Sequence, residues 1–263
     1  MIDFRADSLE LRLARSRAEI KAAQALRYRV FYKEMGALPN RRSYWLRRDV
    51  DRFDAVCDHV IVLDRAVPGK PRVVGTYRLM RGTVARRQRG FYTAGEFDLS
   101  GFGARADDIL ELGRSCVDPG YRTGAVMQLL WRGIASYVRA YGLRTMLGCA
   151  SLPGTDPDAL AHGLSYLHHN YRLEDPARPR ALPSRYVALD RIPPEQIDRA
   201  RVKEELPPLL KGYLRLGGRI GDGAVIDHSF NTIDVCLILP VANVKARYLR
   251  HYLEGEADEK QAA

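Results

Sequence analysis

The stretch from Ile109 to Val126, ILELGRSCVDPGYRTGAV, limits the possible fold more than any other part of the sequence. An apolar run is followed by Asp-Pro-Gly and then by a glycine-containing turn that opens a strongly periodic helix. This order predicts a strand that leads into a helix, where free backbone N–H groups can meet an anionic or acyl-bearing ligand. Glu111 and Arg114 place two charges inside the strand, which is costly unless they are paired or in use. We therefore interpret the stretch as the floor of a functional site.

The spacing of these two charges makes a geometric prediction. Residues three apart on a regular strand point to opposite faces of the sheet. A bulge at or near Gly113 would bring Glu111 and Arg114 to one face and would splay the strand from its neighbour. Backbone N–H groups left unpaired by the splay would be suited to stabilising an oxyanion.

Strand and helix patterns alternate along the chain and predict an α/β fold with a mixed, mostly antiparallel sheet and helices on both faces. We expect a core over residues 1–190, a C-terminal α+β extension over 191–253 and a disordered tail over 254–263. The predicted strands are Leu9–Leu13, His59–Asp64, Arg72–Arg81, Ile109–Val117, Arg144–Ala150, Arg185–Leu189 and a hairpin over Ala224–Leu239. The predicted helices are Ser16–Lys33, Arg122–Tyr141, Asp156–Asn170, Pro194–Lys203, Leu206–Leu216 and Asn243–Leu253.

Charge narrows the range of partners. The net charge is +10, and 35 of the 42 basic residues are arginine, which favours an acidic partner such as an acidic carrier protein or an anionic membrane surface. The densest arginine clusters are Arg41, Arg42, Arg47 and Arg48, then Arg81, Arg86, Arg87 and Arg89. Neither lies in a recognisable nucleic-acid-binding motif, so we predict no nucleic acid partner.

Other classes are excluded by what the sequence lacks. No apolar run approaches the ~18–20 residues of a membrane span, and the first residues lack the apolar core of a signal peptide, so we expect a cytoplasmic protein. The four cysteines are widely spaced and form no CxxC pair, so we predict no metal. His168 and His169 are adjacent on a predicted helix and should point apart.

Arg27 lies on the apolar stripe of the first predicted helix, between Ala23 and Phe31. One interpretation is an arginine that extends along the edge of the core, which is common. The sharper hypothesis is an inward-facing arginine that is held by a carboxylate.

These features resemble the GNAT acyltransferase superfamily, whose fourth strand carries such a bulge and leads into the acyl-donor turn. The segment Val117–Val126 is similar to that turn, and the resemblance assigns Tyr121, Arg122 and Gly124 to it. The acyl-homoserine-lactone synthases are a closer match. Their R-x-x-x-F resembles Arg27 and Phe31, their D-x-x-D resembles Asp51 and Asp54, their strand-end arginine resembles Arg78, and their E-x-x-R resembles Glu111 and Arg114.

A third resemblance covers nearly the whole chain. The segments Phe91–Leu99, Leu206–Gly218 and Asp227–Val235 are similar to the bacterial ornithine N-acyltransferase family, which makes lyso-ornithine lipid. The resemblance implies transfer of a 3-hydroxyacyl chain from acyl carrier protein to the α-amino group of L-ornithine. It implies no cofactor beyond the phosphopantetheine of the carrier, and it leaves open a peripheral contact with the inner face of an anionic membrane.

The residues suggest a mechanism for such a transfer. Glu111 could take a proton from the attacking ammonium directly or through a water, although a structural Glu–Arg network is a frequent alternative. Asp51 and Asp54 could bind cationic groups of the substrate or could act as an N-cap pair. Cys149 and Ser151 have no identifiable base beside them, which favours direct transfer over an acyl-enzyme. The segment Leu206–Leu216 could shelter an acyl chain, touch a bilayer or form a core helix.

Three rival functions remain open at this point. An acyl-homoserine-lactone synthase would also use S-adenosylmethionine, and the long C-terminal region argues against it. A coenzyme A-dependent GNAT N-acetyltransferase is disfavoured by the shortened donor turn. A non-catalytic module that binds anionic lipid would not need Glu111.

Overall fold

The computed structural model describes residues 2–66, 71–88 and 90–244. The strands are β1 (Asp3–Ala6), β2 (Leu9–Leu13), β3 (Asp58–Asp64), β4 (Arg72–Arg81), β5 (Phe97–Asp98), β6 (Ile109–Val117), β7 (Thr145–Pro153), β8 (Arg180–Ala181), β9 (Tyr186–Val187), β10 (Arg219–Asp227) and β11 (Thr232–Pro240). The α-helices are α1 (Arg17–Arg27), α2 (Arg41–Leu46), α3 (Gly82–Arg87), α4 (Ala125–Tyr141), α5 (Ala161–Tyr171), α6 (Arg199–Glu205) and α7 (Pro208–Arg215).

The chain divides into two compact units, each built from separate segments. Unit 1 comprises Met1–Met80, Leu112–Leu143 and Lys245–Ala263, and unit 2 comprises Arg81–Glu111 and Arg144–Val244. Strand β6 therefore begins in unit 2 and ends in unit 1. The predicted core over 1–190 and extension over 191–253 stay a prediction. The predicted tail over 254–263 and most of the predicted last helix lie outside the described residues.

The sheet of unit 1 is antiparallel from β1 through β2 and β3 to β4. Strand β3 is buried on both faces because alternate side chains meet different helices. Ile61 and Leu63 pack in one cluster with Ala23 and Leu26 of α1. On the other face, Gly75 lies beside Val62 and against α4. The predicted placement of helices on both faces of the sheet is confirmed here.

Helix α4 approaches this sheet closely. A Cβ atom on Gly75 would lie 2.5 Å from Cγ1 of Val126, so the position has no room for a side chain. The register of β3 and β4 shifts by one residue between Val62 and Leu63. A shift of this kind moves the following side chains to the other face, and it allows Val73 to join the α1 cluster while Gly75 meets α4.

Helix α1 begins as the sequence predicts and ends differently. Oγ of Ser16 accepts a hydrogen bond from the backbone N–H of Glu19, as expected for an N-cap. The Glu19 carboxylate accepts hydrogen bonds from Arg12 and from the backbone N–H of Arg15. The helix then continues as a π-helix over Tyr28–Glu34, a form that is frequent at functional sites.

Unit 2 contains a second group of strands. The first residues of β6 pair with β7 in parallel register from Ile109↔Thr145 to Glu111↔Leu147. Strand β11 lies between β7 and β10 and is antiparallel to both, so the predicted hairpin over Ala224–Leu239 is confirmed. Strands β8 and β9 both pair with β10, and β5 pairs with β8.

Two helix predictions need correction. The predicted helix over Asp156–Asn170 begins at Ala161, because Asp156 caps a tight turn by accepting the backbone N–H of Asp158. The predicted helix over Leu206–Leu216 spans Pro208–Arg215 and buries Leu210, Tyr213 and Leu214, as its core interpretation expects. Its acyl-chain and bilayer interpretations stay predictions. None of the helices in the described ranges is long and apolar enough to cross a membrane.

Candidate active site

Six charged side chains of unit 1 form a compact group that we call the Arg/Asp cluster. Its members are Arg27, Asp49, Asp51, Asp54, Arg78 and Arg114. Five of the six are residues predicted from the sequence, and Asp49 is the addition. The hypothesis that Arg27 faces inward and is held by a carboxylate is confirmed, because two carboxylates hold it.

Arg27 is at the centre of the cluster and is fully buried. Its Nε donates to Oδ2 of Asp49 at 2.8 Å, and its Nη2 donates to Oδ1 of Asp54 at 2.8 Å and to the backbone oxygen of Asp49 at 2.6 Å. A guanidinium that is satisfied from two directions can tolerate burial, since the carboxylates replace the lost water. Arg27 therefore fixes the loop that carries both aspartates.

The loop is also organised by its own backbone. Asp51 caps the 3-10 helix Arg52–Ala55 by accepting the N–H groups of Phe53 and Asp54, and Asp54 accepts the N–H of Asp51 in return. The N-cap interpretation of this pair is thus correct. Both aspartates also bind Arg78, with Nη1 at 2.6 Å from Oδ1 of Asp51 and 3.2 Å from Oδ1 of Asp54.

Arg114 completes the cluster from β6. Its Nε lies 3.1 Å from Oδ2 of Asp49 and its Nη2 lies 3.2 Å from Oδ2 of Asp51. The residue has φ of +53°, which interrupts the regular extended backbone beside Gly113, where the sequence predicts a bulge. The two ion pairs compensate for this unfavourable backbone conformation.

The cluster favours the ionised form of two of its carboxylates, Asp49 and Asp54. Burial raises the pKa of Asp49. Arg114 and Arg27 together lower it by a larger amount, so the pKa of Asp49 lies below its ordinary value. Burial also raises the pKa of Asp54. Arg27 and Arg78 together lower it by a larger amount, so this pKa also lies below its ordinary value. Three positive and three negative side chains therefore balance each other, with the hydroxyl of Tyr32 donating to Asp49 at 2.9 Å.

Exposure separates the members of the cluster. The side chains of Asp51 and Arg114 retain 20% and 12% of their exposure, whereas those of Arg27 and Asp54 retain 0% and 6%. Asp54 is further occupied by the side-chain amide of Gln24 at 3.0 Å. Asp51 and Arg114 are consequently the members best able to meet a ligand.

Glu111 lies in unit 2, and backbone N–H groups bind its carboxylate. Its two carboxylate oxygens accept backbone N–H groups from the start of a 3-10 turn, Oε2 from Tyr92 at 3.0 Å and Oε1 from Thr93 at 2.7 Å. Such hydrogen bonds hold a carboxylate in one orientation.

A second group in unit 2, which we call the carboxylate–thiol cluster, consists of Glu96, Cys149 and Asp234. Sγ of Cys149 lies 3.4 Å from Oε2 of Glu96 and 3.7 Å from Oγ1 of Thr93. Burial and the adjacent Asp234 raise the pKa of Glu96 to about 7, although Arg185 opposes the shift. Burial and Glu96 also raise the pKa of the Cys149 thiol, which disfavours its nucleophilic thiolate form.

The predicted acyl-donor turn lies in unit 1 between β6 and α4. Gly124 precedes α4 with φ of +100°, and as a glycine it offers no side chain to cap the first N–H groups of the helix. The hydroxyl of Tyr121 donates to Asp64 at 2.7 Å, and Nη2 of Arg122 donates to Glu34 at 2.9 Å. These contacts fix the turn around a helix start that is suited to an anionic group.

The remaining predicted residue, Phe31, packs against the apolar cluster of α1 and β3 and is partly buried. A substrate-binding role for it stays a prediction. The histidine pair differs from expectation, because Nε2 of His168 and Nε2 of His169 lie 3.9 and 3.1 Å from the carboxylate of Asp190. These three residues and the carboxylate–thiol cluster are the described groups whose atoms are close enough to share a metal ion.

Several residues of these sites were missed from the sequence. Asp49 lies two residues before the Asp51–Asp54 pair, where only its spacing from neighbouring acids could have signalled it. Thr93 contributes through its backbone and carries no side-chain signal. Glu96 falls in the Phe91–Leu99 segment, which the ornithine N-acyltransferase resemblance singled out without assigning it a role.

Comparison with known proteins decides the family. A model of the acetyltransferase (GNAT) domain matches residues 26–132. The L-ornithine N(alpha)-acyltransferase of Brucella abortus (strain 2308) is 50% identical over 252 residues, covering 94% of this chain and 90% of that protein. The enzyme of the same name from Rhizobium meliloti (strain 1021) is 47% identical and covers 93% and 84%. The chain belongs to this family. Its membership in the L-ornithine N(alpha)-acyltransferases confirms the resemblance that was drawn from three segments of the sequence.

Solved structures support the fold of this acyltransferase family member. A coenzyme A-dependent acyl-homoserine lactone synthase, BjaI, aligns over 90% of this chain and 82% of its own length, with a TM-score of 0.52 and 13% identity. The fold is GNAT-like, as the sequence predicts.

Proposed function

We propose that this chain transfers a 3-hydroxyacyl group from the phosphopantetheine thioester of acyl carrier protein to the α-amino group of L-ornithine, which gives lyso-ornithine lipid. The observation that carries the proposal is the relationship over more than nine-tenths of the chain to enzymes named L-ornithine N(alpha)-acyltransferase. The donor rests on the acidic partner that the net charge of +10 favours.

The chemistry requires an uncharged amine. Glu111 accepts the proton of the α-ammonium group, directly or through a water, and the amine then attacks the thioester carbonyl carbon. The tetrahedral intermediate collapses with cleavage of the C–S bond, so that an amide forms and the pantetheine thiolate leaves and takes up a proton. The two amide hydrogen bonds to Glu111 support this role because they hold its carboxylate in a fixed orientation.

No acyl-enzyme is part of the proposal. The thiol of Cys149 is a candidate nucleophile in unit 2, and its raised pKa keeps it protonated. A protonated thiol is a poor nucleophile, which favours direct transfer from the donor to the amine.

Separate roles are proposed for residues of unit 1. The partly exposed carboxylate of Asp51 is suited to a cationic group of the substrate. The turn at Tyr121, Arg122 and Gly124 is suited to the phosphate of phosphopantetheine. The donor brings its own pantetheine arm, so we propose no resident cofactor and no metal. We place the reaction in the cytoplasm, with a peripheral contact to the anionic inner face of the membrane.

Mass spectrometry of the reaction tests the function. The purified chain is incubated with 3-hydroxyacyl carrier protein and L-ornithine, alongside Glu111→Gln and a matched control, Glu204→Gln, whose carboxylate is exposed on α6. We expect N-acylornithine, assigned to the α-nitrogen by fragmentation, from the wild type and the control. We expect a loss of about 10²–10⁴-fold in Glu111→Gln.

Three results would change the assignment. If product forms from acyl coenzyme A and not from the carrier-bound donor, the donor assignment changes to acyl coenzyme A. Turnover that requires S-adenosylmethionine would favour a lactone synthase. An active Glu111→Gln variant would remove Glu111 as the base without affecting the choice of substrate.

A further inference from the structure

The segment from Met35 to Arg48 exposes an unusual amount of apolar surface. Seven large hydrophobic side chains are exposed in the described part of the chain, and five of them belong to this segment. We call them, with the arginines of the same segment, the Trp45 surface. Its apolar members are Met35 (49% exposed), Leu38 (68%), Tyr44 (58%), Trp45 (74%) and Leu46 (41%).

This exposure is built into an ordered backbone. Helix α2 is capped by Asn40, whose Oδ1 accepts the N–H of Ser43 at 2.9 Å. Ser43 is the buried residue of the helix, and its Oγ accepts the N–H of Val50 at 3.2 Å. The helix therefore turns a small polar residue toward the protein and its aromatic residues toward solvent, the reverse of the usual pattern.

The charged residues within this segment are all of one sign. Arg41, Arg42, Arg47 and Arg48 belong to the segment, and it contains no Asp or Glu between Met35 and Arg48. The arginines match anionic groups, and the exposed Trp45 and Leu46 side chains favour an apolar environment beside those groups. Tryptophan and tyrosine favour the interface of a bilayer, and arginines beside them bind anionic headgroups.

We infer that the Trp45 surface docks the protein onto an anionic phospholipid bilayer, with the aromatic and aliphatic side chains in the headgroup region and the arginines on the lipid phosphates. Exposed apolar side chains that are concentrated in one segment indicate an interaction site, because their removal from water is favourable. The inference rests on the proposed function in one respect, that the product of the reaction is an amphiphile whose acyl chain belongs in a bilayer.

Vesicle sedimentation tests the inference. The full chain is mixed with vesicles of phosphatidylcholine alone or of equal parts phosphatidylcholine and phosphatidylglycerol. We expect binding to the anionic vesicles, reduced at least about tenfold in the double variant Trp45→Ser, Leu46→Ser. The double variant Arg41→Ser, Arg42→Ser should lose about fivefold for each arginine removed, on the anionic vesicles alone.

Two matched controls come from elsewhere in the chain. Tyr141→Ser removes another exposed aromatic side chain, and the double variant Arg86→Ser, Arg87→Ser removes two arginines of the second sequence cluster. Both should bind anionic vesicles as the wild type does. In Trp131→Phe, Trp45 is the remaining one of the two tryptophans, and its emission should shift to shorter wavelength on anionic vesicles.

Several outcomes would overturn the inference. These are the absence of wild-type binding to anionic vesicles, equal loss in the controls, and a Trp45 emission that does not respond to lipid. Binding to acyl carrier protein that is lost in the Trp45 double variant, without any vesicle binding, would assign the surface to the carrier instead. Because the vesicle assay contains no substrate, failure of the proposed acyl transfer leaves its result unaffected.

Discussion

Two clusters of buried carboxylates in this protein are built in opposite ways. In the Arg/Asp cluster of unit 1, three arginines face three aspartates, and the pKa values of Asp49 and Asp54 fall below the ordinary range. In the carboxylate–thiol cluster of unit 2, Glu96 and Asp234 are adjacent, and Nη1 of Arg185 is 3.8 Å from Glu96. There the pKa of Glu96 rises to about 7.

The contrast teaches that the placement of cations, more than burial itself, decides what a buried carboxylate can do. Asp54 and Glu96 are similarly inaccessible, at 6% and 4% exposure. The paired carboxylate is permanently ionised and acts as a framework for a loop. The weakly paired carboxylate changes its protonation state near neutral pH and is therefore the one that can respond to conditions.

The largest expected effect comes from removing one arginine of the Arg/Asp cluster in unit 1, where three arginines face three aspartates. Arg27→Met should lower the free energy of unfolding by about 3–5 kcal/mol, because Asp49 and Asp54 would keep their charge and each would lose its fully buried partner. Urea denaturation followed by circular dichroism measures the change. The control is Arg29→Met, whose side chain is 49% exposed and pairs with Asp118, and which should cost no more than about 1 kcal/mol.

Substitutions of the two predicted substrate-binding acids, Asp51 and Asp54, should have different effects. Asp54→Asn should lower the free energy of unfolding by about 3 kcal/mol, since Arg27 and Arg78 both lose a charged acceptor. Asp51→Asn should cost about 1 kcal/mol, because that carboxylate is partly exposed. If Asp51 meets the substrate, its variant should raise the KM for ornithine by about tenfold to a hundredfold. An unchanged KM would limit Asp51 to capping the loop.

The pH dependence of the free energy of unfolding tests the other member of the comparison, the carboxylate–thiol cluster of unit 2. A carboxyl group whose pKa is higher in the folded protein binds more protons there, so stability falls as pH rises from about 4.5 to about 7. Glu96→Gln removes this loss, and the stability of the variant relative to wild type should rise by about 2 kcal/mol across that window.

The free energy of unfolding of the variant has to be compared with that of the wild type, because His59 contributes a pH dependence of the opposite sign. Burial lowers the pKa of His59, so its contribution to stability is lost as pH falls below about 6.5. This contribution is the same in both proteins and cancels. Parallel pH profiles for wild type and Glu96→Gln would contradict the assignment to Glu96.

The smallest expected effect concerns Cys149. In Cys149→Ala we expect turnover to change little, because the thiol is protonated and the transfer is direct. The loss of a covalent nucleophile would instead cost on the order of a millionfold. Cys236→Ala is the matched control, since Cys236 is a buried cysteine paired with Cys149 across β7 and β11. A rate lost in the Cys149 variant alone would establish an acyl-enzyme.

The sequence predicts those features that a local pattern encodes. The position of Arg27 on an apolar stripe, the charges on β6 and the hairpin of β10 and β11 all follow from periodicity, and the structure has each of them. The partners of Arg27 were only partly predictable, because Asp49 reaches it through a loop whose course depends on tertiary contacts.

Other features lie beyond local rules. The π-helix after Arg27 changes which residues face the core, and no residue between Tyr28 and Glu34 signals it. His168 and His169 converge on Asp190 because this residue, 22 and 21 positions later in the chain, lies beside the end of α5. The exposed face of α2 was unexpected, since its sequence alone does not reveal that Ser43 is the buried side chain.

The placement of β11 has a consequence for synthesis of the chain. Strand β7 pairs along its whole length with β11, from Thr145↔Pro240 to Pro153↔Thr232. The segment between them, residues 154–231, takes about 4 to 16 s to translate at ordinary rates. During that interval the nascent chain carries an apolar strand with one unsatisfied edge, the feature that promotes intermolecular pairing. Ribosome-bound chains that stop short of Thr232 are therefore the form of this protein that most needs a chaperone.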